Sequence, residues 1–364
     1  MPAPQQLLSS LMAQIQRPLS LLKQWFKPLA ALPPWLRLPG GARFWVTLLS
    51  LGFLLAALKG NTEQVLAQRL DPQGWLWLVI GVGLSLFSLV INGLGWAVGL
   101  RWFRLRPRWG LSVRAYLSTN LLKYLPGGIW HLAERVRLLG QGDRLLRAPT
   151  SAVATPLALA ATLLDPLLAA SAALAIAAAA GWRAGWPLLG LLPLLLLVPR
   201  WFQPLLQRLE RSRERQLTRA QAARGLESSA LPPQDPAAGG VLLPGYPLVP
   251  LLVLGLFVLL RFGGFAACVL AFDQQLSLPW APWLLGFALA WTAGLVVPGA
   301  PGGLGVFEAV LLVQLGGQVA EAPLLAVALS YRLVVTAADL LAALTARLDG
   351  SLERPRRPAT SADA

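Results

Sequence analysis

Long apolar blocks run through this chain of 364 residues and limit what it can fold into. At about 1.5 Å per helical residue, the longer blocks can cross the roughly 30 Å hydrocarbon layer of a bilayer. Charged residues make up only 13% of the chain, about half the share in a soluble domain. We therefore predict an all-α, polytopic membrane helical bundle of about seven or eight spans with re-entrant broken helices. The strongest candidate spans cover residues 44–58, 75–100, 153–180, 186–198, 248–272, 283–297 and 323–346.

Two shorter apolar pieces, residues 116–132 and 304–317, each contain or follow a Pro-Gly-Gly sequence. Proline removes a backbone donor and glycine permits close backbone approach, so we expect both helices to break at membrane depth. Paired broken helices in the two halves of a chain indicate a transporter's central site. The residues of the two breaks are Pro126, Gly127 and Gly128, and then Pro298, Pro301, Gly302, Gly303 and Gly305.

Tryptophans fall mostly at the ends of the candidate spans. This placement is typical of the interfacial aromatic belt, where the ring packs among headgroups and its N–H stays hydrated. We therefore predict interfacial positions for Trp75, Trp96, Trp182, Trp280 and Trp283, among others.

The basic residues, 31 Lys+Arg against 16 Asp+Glu, give a net charge of +15. They cluster in the loops between spans instead of on one solvated face, so no nucleic-acid partner is expected. The positive-inside rule places these loops and both termini on the cytoplasmic side of the plasma (inner) membrane. Basic clusters at 101–114 and 135–147 flank the first short piece, which therefore should re-enter the side that it left. For residues 304–317, the charges leave a span and a re-entrant element both open.

The organisation along the chain follows from these patterns. Residues 1–42 predict a cytoplasmic amphipathic segment that lies on the membrane or packs on the spans. An N-terminal membrane bundle (43–227) is followed by a linker (228–245) and a C-terminal membrane bundle (246–347), and then by a disordered cytoplasmic tail (348–364). No signal-peptide pattern precedes the first span, which is expected to be retained as an anchor.

One cysteine and one histidine exclude a disulfide framework, the usual zinc ligand sets and haem bound through two histidines. The chain also lacks the P-loop, HExxH, GxSxG and dinucleotide GxGxxG motifs. We therefore predict no enzymatic activity, no cofactor and no metal site. Any transport is expected to be downhill or ion-coupled.

Charged residues inside the apolar segments are the candidate functional residues, because such charges are costly in lipid and normally face a cavity or a partner. Glu308 follows the second break, where it can cap a helix or face a cavity. Arg332 is a candidate partner for Glu308 or for a lipid phosphate. Near the first break, Lys123 can hold a phosphate or extend to the cytoplasmic interface.

Three further acidic residues and one arginine complete this set. Asp339 shares a helix face with Arg332, either within the bundle or near its cytoplasmic end. Asp165 and Arg261 lie within candidate spans of the two halves and could pair with each other. Glu134 lies close to the first break in the sequence.

The sequence PGAPGGLGVFE at 298–308, the Tyr331-Arg332 pair and the LPGGIW break resemble the lysylphosphatidylglycerol synthase transmembrane (flippase-like) family. This domain is the membrane half of the bacterial multiple peptide resistance factor and also occurs as a stand-alone protein. Many members have Gly-Glu after the first break, where this chain has Trp130-His131 and places an acid at Glu134 instead.

The resemblance implies a translocator that moves polar-headed or amino-acylated phospholipids between leaflets. It assigns headgroup binding to Glu308, Arg332 and the residues of the second break. The soluble aminoacyl-transfer domain of the synthase is not present in this chain, so synthesis of lysyl-lipid is not expected. The implied partners are anionic or amino-acylated membrane phospholipids, and homo-oligomerisation is left open. The alternative is a non-catalytic accessory protein for a lipid- or glycan-modifying enzyme.

Overall fold

A computed structural model describes residues 70–125, 129–141, 145–147, 153–182, 187–200, 203, 243–273, 278–297 and 301–352. The secondary structure of these residues is mainly α-helical, which confirms the predicted all-α membrane fold. They are α1 (Pro72–Trp102), α2 (Trp109–Asn120), α3 (Trp130–Gly140), α4 (Thr155–Ala180), α5 (Pro187–Leu196), α6 (Leu248–Ala271), α7 (Trp280–Val296), α8 (Val306–Leu315) and α9 (Glu321–Leu352). Helices α1, α4, α6 and α9 are long and apolar enough to cross a membrane.

Helix α1 packs lengthwise against α6 in the opposite direction. Its start is set by Asp71, whose carboxylate accepts a 2.6 Å hydrogen bond from the Gly74 amide, with proline at the first helical position. A Cβ atom at Gly74 would meet the carbonyl oxygen of Ala271, and one at Gly95 would meet Leu254. Small residues thus let the two backbones approach closely, as is common between membrane helices.

Helices α2 and α3 form a first hairpin whose two ends lie side by side. Pro107, just before α2, forms an antiparallel bridge with Leu146, just after α3. The flanking amides of Arg108 and Arg147 each donate a 2.8 Å hydrogen bond across this junction. The α2–α3 segment therefore begins and ends at the same end of the bundle, as the prediction of a re-entrant element requires. We call this part of the bundle, marked by Arg101 and the bridge, the basic end.

Helices α7 and α8 form a second hairpin that enters from the opposite end, where α6 finishes. Gly294 of α7 lies against Phe307 of α8, and Gly286 lies against Leu315, so the two helices are antiparallel. With 10 residues, α8 is about 15 Å long and too short to cross the hydrocarbon layer. The segment 304–317 therefore returns towards its own side.

The tips of the two hairpins meet inside the bundle. A short 3₁₀ turn, Leu121–Tyr124, follows α2, and another, Pro301–Gly303, precedes α8. We call these turns the first tip and the second tip. A Cβ atom at Gly302 would lie 2.9 Å from the Tyr124 ring, so the tips are in direct contact. Helix α9 passes both tips. The largest hydrophobic cluster combines residues from both halves of the chain, from Trp96 of α1 to Val258 of α6.

Several predictions of position are wrong. Trp96 and Trp283 are only 1% and 0% exposed, so they are core residues and not part of an interfacial belt. Trp75, Trp182 and Trp280 are exposed, as an interfacial position requires. Helix α9 continues to Leu352, into the segment predicted as a disordered tail. Residues 1–42, the candidate span 44–58 and most of the linker lie outside the described residues.

The opposed hairpins predict that their bases are labelled from opposite sides of the membrane. Gly140 ends α3 at the basic end, Gly317 connects α8 to α9, and a Cβ atom at either position meets no atom within 4 Å. In a Cys268→Ala background without native thiols, we expect an impermeant maleimide to label Gly317→Cys in intact cells. Gly140→Cys should react only after the cells are opened, because its basic loop is predicted to be cytoplasmic. If Gly140→Cys and Gly317→Cys were both labelled from the same side of the membrane, the two hairpins could not enter the bundle from opposite ends.

Candidate functional site

The candidate site lies where the two hairpin tips contact each other and α9. We call it the tip junction and define it by Tyr124 of the first tip, Gly302 of the second tip, and Arg332 and Asp339 of α9. Arg332 and Asp339 are seven residues apart along α9, or about two helical turns, so both side chains project from one face of the helix.

The second tip is held by a clamp of charged hydrogen bonds. Its backbone turns through two glycines with positive φ, +61° at Gly302 and +73° at Gly303, a region that other residues rarely adopt. Arg332 donates from Nη1 to the Gly302 carbonyl oxygen at 2.6 Å and from Nη2 to that of Gly303. Its Nε donates to Oε1 of Glu308 at 2.6 Å.

Glu308 completes the clamp from the first turn of α8. It is fully buried, and its second oxygen accepts a 2.7 Å hydrogen bond from the amide of Gly305, the residue that caps the helix. The predicted Glu308–Arg332 pair is confirmed, and so is the capping position of Glu308. All three guanidinium nitrogens of Arg332 have acceptors within the protein, so the contacts favour a positioning role for this pair over direct headgroup binding.

The first tip is held by Asp339, which is fully buried. One carboxylate oxygen, Oδ2, accepts a hydrogen bond from the Tyr124 hydroxyl at 2.6 Å and pairs with Lys123 Nζ at the same distance. The other oxygen, Oδ1, accepts from the Asn120 amide at 2.8 Å. Asp339 therefore lies inside the bundle, and Lys123 contacts it instead of extending away to the interface.

Arg261 of α6 approaches the same carboxylate from the other side. Its Nη2 lies 3.8 Å from Oδ1 of Asp339, so the pair of Arg261 with Asp165 that the sequence left possible is not the one formed. Asp165 of α4 instead accepts a 2.8 Å hydrogen bond from the Tyr116 hydroxyl and lies 3.6 Å from Nη1 of Arg135. The α2–α3 hairpin and its tip supply a cation to each acid, Arg135 to Asp165 and Lys123 to Asp339.

Arg135 is a buried residue, although its place in the basic cluster at 135–147 predicted a loop position. It is 1% exposed, its guanidinium carbon stacks 3.5 Å from the centre of the Tyr116 ring, and its Nε donates to the Thr119 hydroxyl at 3.2 Å. Asn120, Tyr116 and Tyr124 were also not predicted as site residues. The one signal for them is polar side chains spaced three or four residues apart within an apolar segment.

Glu134 does not join the tip junction. It forms a two-point pair with Arg137 on the next turn of α3, and both side chains are about one-third exposed. Pro126, Gly127, Gly128 and Pro298 lie outside the described residues. Within those residues, no group of three or more His, Cys, Asp or Glu side chains could hold a metal ion.

The buried charges of the bundle do not balance. The ion pairs formed with buried acids in the described part of the chain contain four cations and three carboxylates. Two of these pairs are neutral, Arg332 with Glu308 and Arg135 with Asp165. The excess positive charge belongs to the third group, in which Lys123 and Arg261 share Asp339.

Comparison with known proteins adds no identification. No protein-family model and no curated protein sequence matches this chain.

Proposed function

We propose that the protein translocates polar-headed phospholipids between the two leaflets of a membrane. We also propose that it belongs to the lysylphosphatidylglycerol synthase transmembrane (flippase-like) family that its sequence resembles, and that it resides in the plasma membrane. The observation that carries the proposal is the tip junction, where two broken helical hairpins from opposite ends of the bundle meet beside buried charges.

Physical chemistry connects this geometry to translocation. Irregular backbone at membrane depth is tolerated only where protein buries it or where it lines a cavity. Paired discontinuous helices are the usual frame of a transport site. The barrier to flipping a phospholipid is the removal of its polar headgroup from water. Fixed charges and backbone dipoles at the tip junction lower that barrier, while the acyl chains stay in lipid.

The two hairpins also suggest how access alternates. Each hairpin is anchored at its own end of the bundle and reaches the centre only with its tip. Since α9 binds the first tip through Asp339 and the second tip through Arg332, a shift of one tip against α9 opens the junction towards one end. The headgroup then enters from one leaflet and leaves into the other.

Translocation of a fluorescent phospholipid in reconstituted vesicles tests this function. We expect Glu308→Gln to slow transport by about tenfold or more, because it removes the charge that holds Arg332 on the second tip. The matched control is Glu321→Gln, which neutralises an exposed acid in the first turn of α9. Arg332→Gln has an equivalent control in the exposed Arg347→Gln on the same helix.

Folding is monitored in parallel by the elution profile of each variant. If Glu308→Gln and Arg332→Gln remain folded and transport lipid at the wild-type rate, the translocator mechanism is wrong. If the wild-type protein itself moves no lipid, an accessory role beside a lipid- or glycan-modifying enzyme becomes the better proposal.

A further inference from the structure

Two cations beside the first tip, Lys123 and Arg261, share one carboxylate, that of Asp339. Among the described residues, the ion pairs of Lys123 and Arg261 both go to Asp339, at 2.6 Å and 3.8 Å. One carboxylate therefore faces two cations at a site that is largely removed from water. A buried excess charge is costly in this environment, and an anion from outside the protein would compensate it.

Arg261 is the less satisfied of the two cations. Asp339 already accepts hydrogen bonds at 2.6 Å and 2.8 Å from Tyr124 and Asn120, whereas 3.8 Å from Arg261 is too long for a hydrogen bond. Arg261 is only 4% exposed, and its Nη1 is buried without a hydrogen-bond partner. Arg261 therefore has an N–H donor that no group of the described protein accepts. A buried donor without an acceptor is destabilising.

Lys123 gives this site an opening. Its side chain retains 22% exposure, and an ammonium group has three donors, of which the Asp339 carboxylate takes one. A ligand that approaches from outside therefore meets the partly exposed Lys123 side chain before the buried guanidinium of Arg261. Arginine and lysine together favour a group with several charged oxygens, such as a phosphate.

We infer that Lys123 and Arg261 form a binding site for the phosphate group of a membrane phospholipid, with Asp339 holding the two cations in position. This inference rests on the proposed function, because the translocated lipid is the source of phosphate within the bundle. It assigns headgroup recognition to the first tip and leaves Glu308 and Arg332 to shape the second tip. The phosphate enters between the two cations and takes over donors that Asp339 does not use.

Calorimetric titration in a phosphate-free maltoside detergent tests the site on the full-length protein. The probe is dioctanoyl-phosphatidylglycerol, and dioctanoylglycerol, which lacks the phosphate, is the matched ligand control. We expect Lys123→Gln and Arg261→Gln each to weaken binding of the phospholipid by about tenfold or more. Arg137→Gln removes a cation of α3 that is about one-third exposed and pairs with Glu134, and it should leave the affinity within about twofold.

Asp339→Asn distinguishes a phosphate site from a purely structural ion pair. It removes the negative charge that competes for both cations but keeps a side chain of the same shape with a carbonyl acceptor to position them, so the affinity for the phospholipid should rise. If the variant does not elute as a folded protein, Arg261→Lys replaces it, and this charge-conserving variant should bind more tightly than Arg261→Gln. Unchanged affinity in both glutamine variants, or equal binding of dioctanoylglycerol, would overturn the site.

A third ligand separates the two sources of phosphate. Inorganic phosphate that binds as tightly as the phospholipid would overturn the assignment to a lipid. The titration contains no transport step, so its failure contradicts the phosphate site while the translocation assay still stands. Intact binding without translocation contradicts the proposed function alone.

Discussion

Replacing Arg332 with methionine is expected to destabilise the folded protein by about 3–5 kcal/mol, the usual cost of removing one partner of a buried ion pair. The Glu308 carboxylate is fully buried and would keep only its hydrogen bond from the Gly305 amide. The carbonyl oxygens of Gly302 and Gly303 would also lose their donors. Methionine fills a similar volume, so the effect reports lost charge and hydrogen bonds more than lost packing.

The chain provides its own probe for this measurement. Cys268 is the only cysteine and is fully buried, so the temperature at which a thiol-reactive dye labels it reports unfolding. Arg347→Met on the exposed side of α9 is the matched control and should label as the wild type does. The double variant Glu308→Gln with Arg332→Met should recover part of the stability, because the unpaired charge is gone. Equal labelling temperatures for Arg332→Met and Arg347→Met would contradict the clamp.

The sequence was sufficient for the helical membrane fold and for one of the buried ion pairs. Glu308 and Arg332 are charges inside apolar segments, and no loop or interface accounts for them, so each needed a partner at depth. The re-entrant first hairpin also followed from sequence, because basic residues flank it on both sides. These inferences use only the cost of charge in lipid and the positive-inside rule.

The partners of the remaining charges depended on geometry that a sequence pattern does not contain. Asp165 and Arg261 are opposite charges in two long helices, but a sequence pattern does not show which other charges lie closer to each of them. The α2–α3 hairpin brings Arg135 to Asp165 and Lys123 to Asp339. Arg135 itself belongs to the basic cluster at 135–147, a pattern that predicts a loop position and not a buried one.

The tryptophans show the same limit at the ends of the spans. Trp96 and Trp75 both lie near an end of α1 in sequence, yet one is 1% and the other 61% exposed. The apolar neighbours of Trp96 in sequence do not indicate which direction its ring faces, since α1 is apolar on every side. Helix α2 decides the outcome, because the ring centre of its Tyr116 lies 6.1 Å from that of Trp96.

Gly303→Ala is expected to lower stability by about 3 kcal/mol or more. A left-handed φ of +73° costs a residue with a Cβ atom roughly 1–2 kcal/mol. The new Cβ atom would also lie 2.9 Å from the Gly294 Cα atom and 3.0 Å from its carbonyl oxygen. Both atoms are backbone of α7 and cannot rotate away, so the two helices of the second hairpin must separate, at a typical overpacking cost of about 1–3 kcal/mol.

Two other glycines serve as graded controls in a thermal unfolding series followed by light scattering. Gly302→Ala has a similar backbone strain, but its Cβ atom meets the Tyr124 ring, a side chain that can move, so its midpoint should fall less than that of Gly303→Ala. Gly317→Ala meets no atom within 4 Å and has no positive φ, so its midpoint should stay within about 1–2 °C of the wild type. The expected order of destabilisation is therefore Gly303, Gly302 and Gly317. A Gly303→Ala midpoint equal to that of Gly317→Ala would show that α7 and the second tip do not pack as closely as the contacts of Gly294 require.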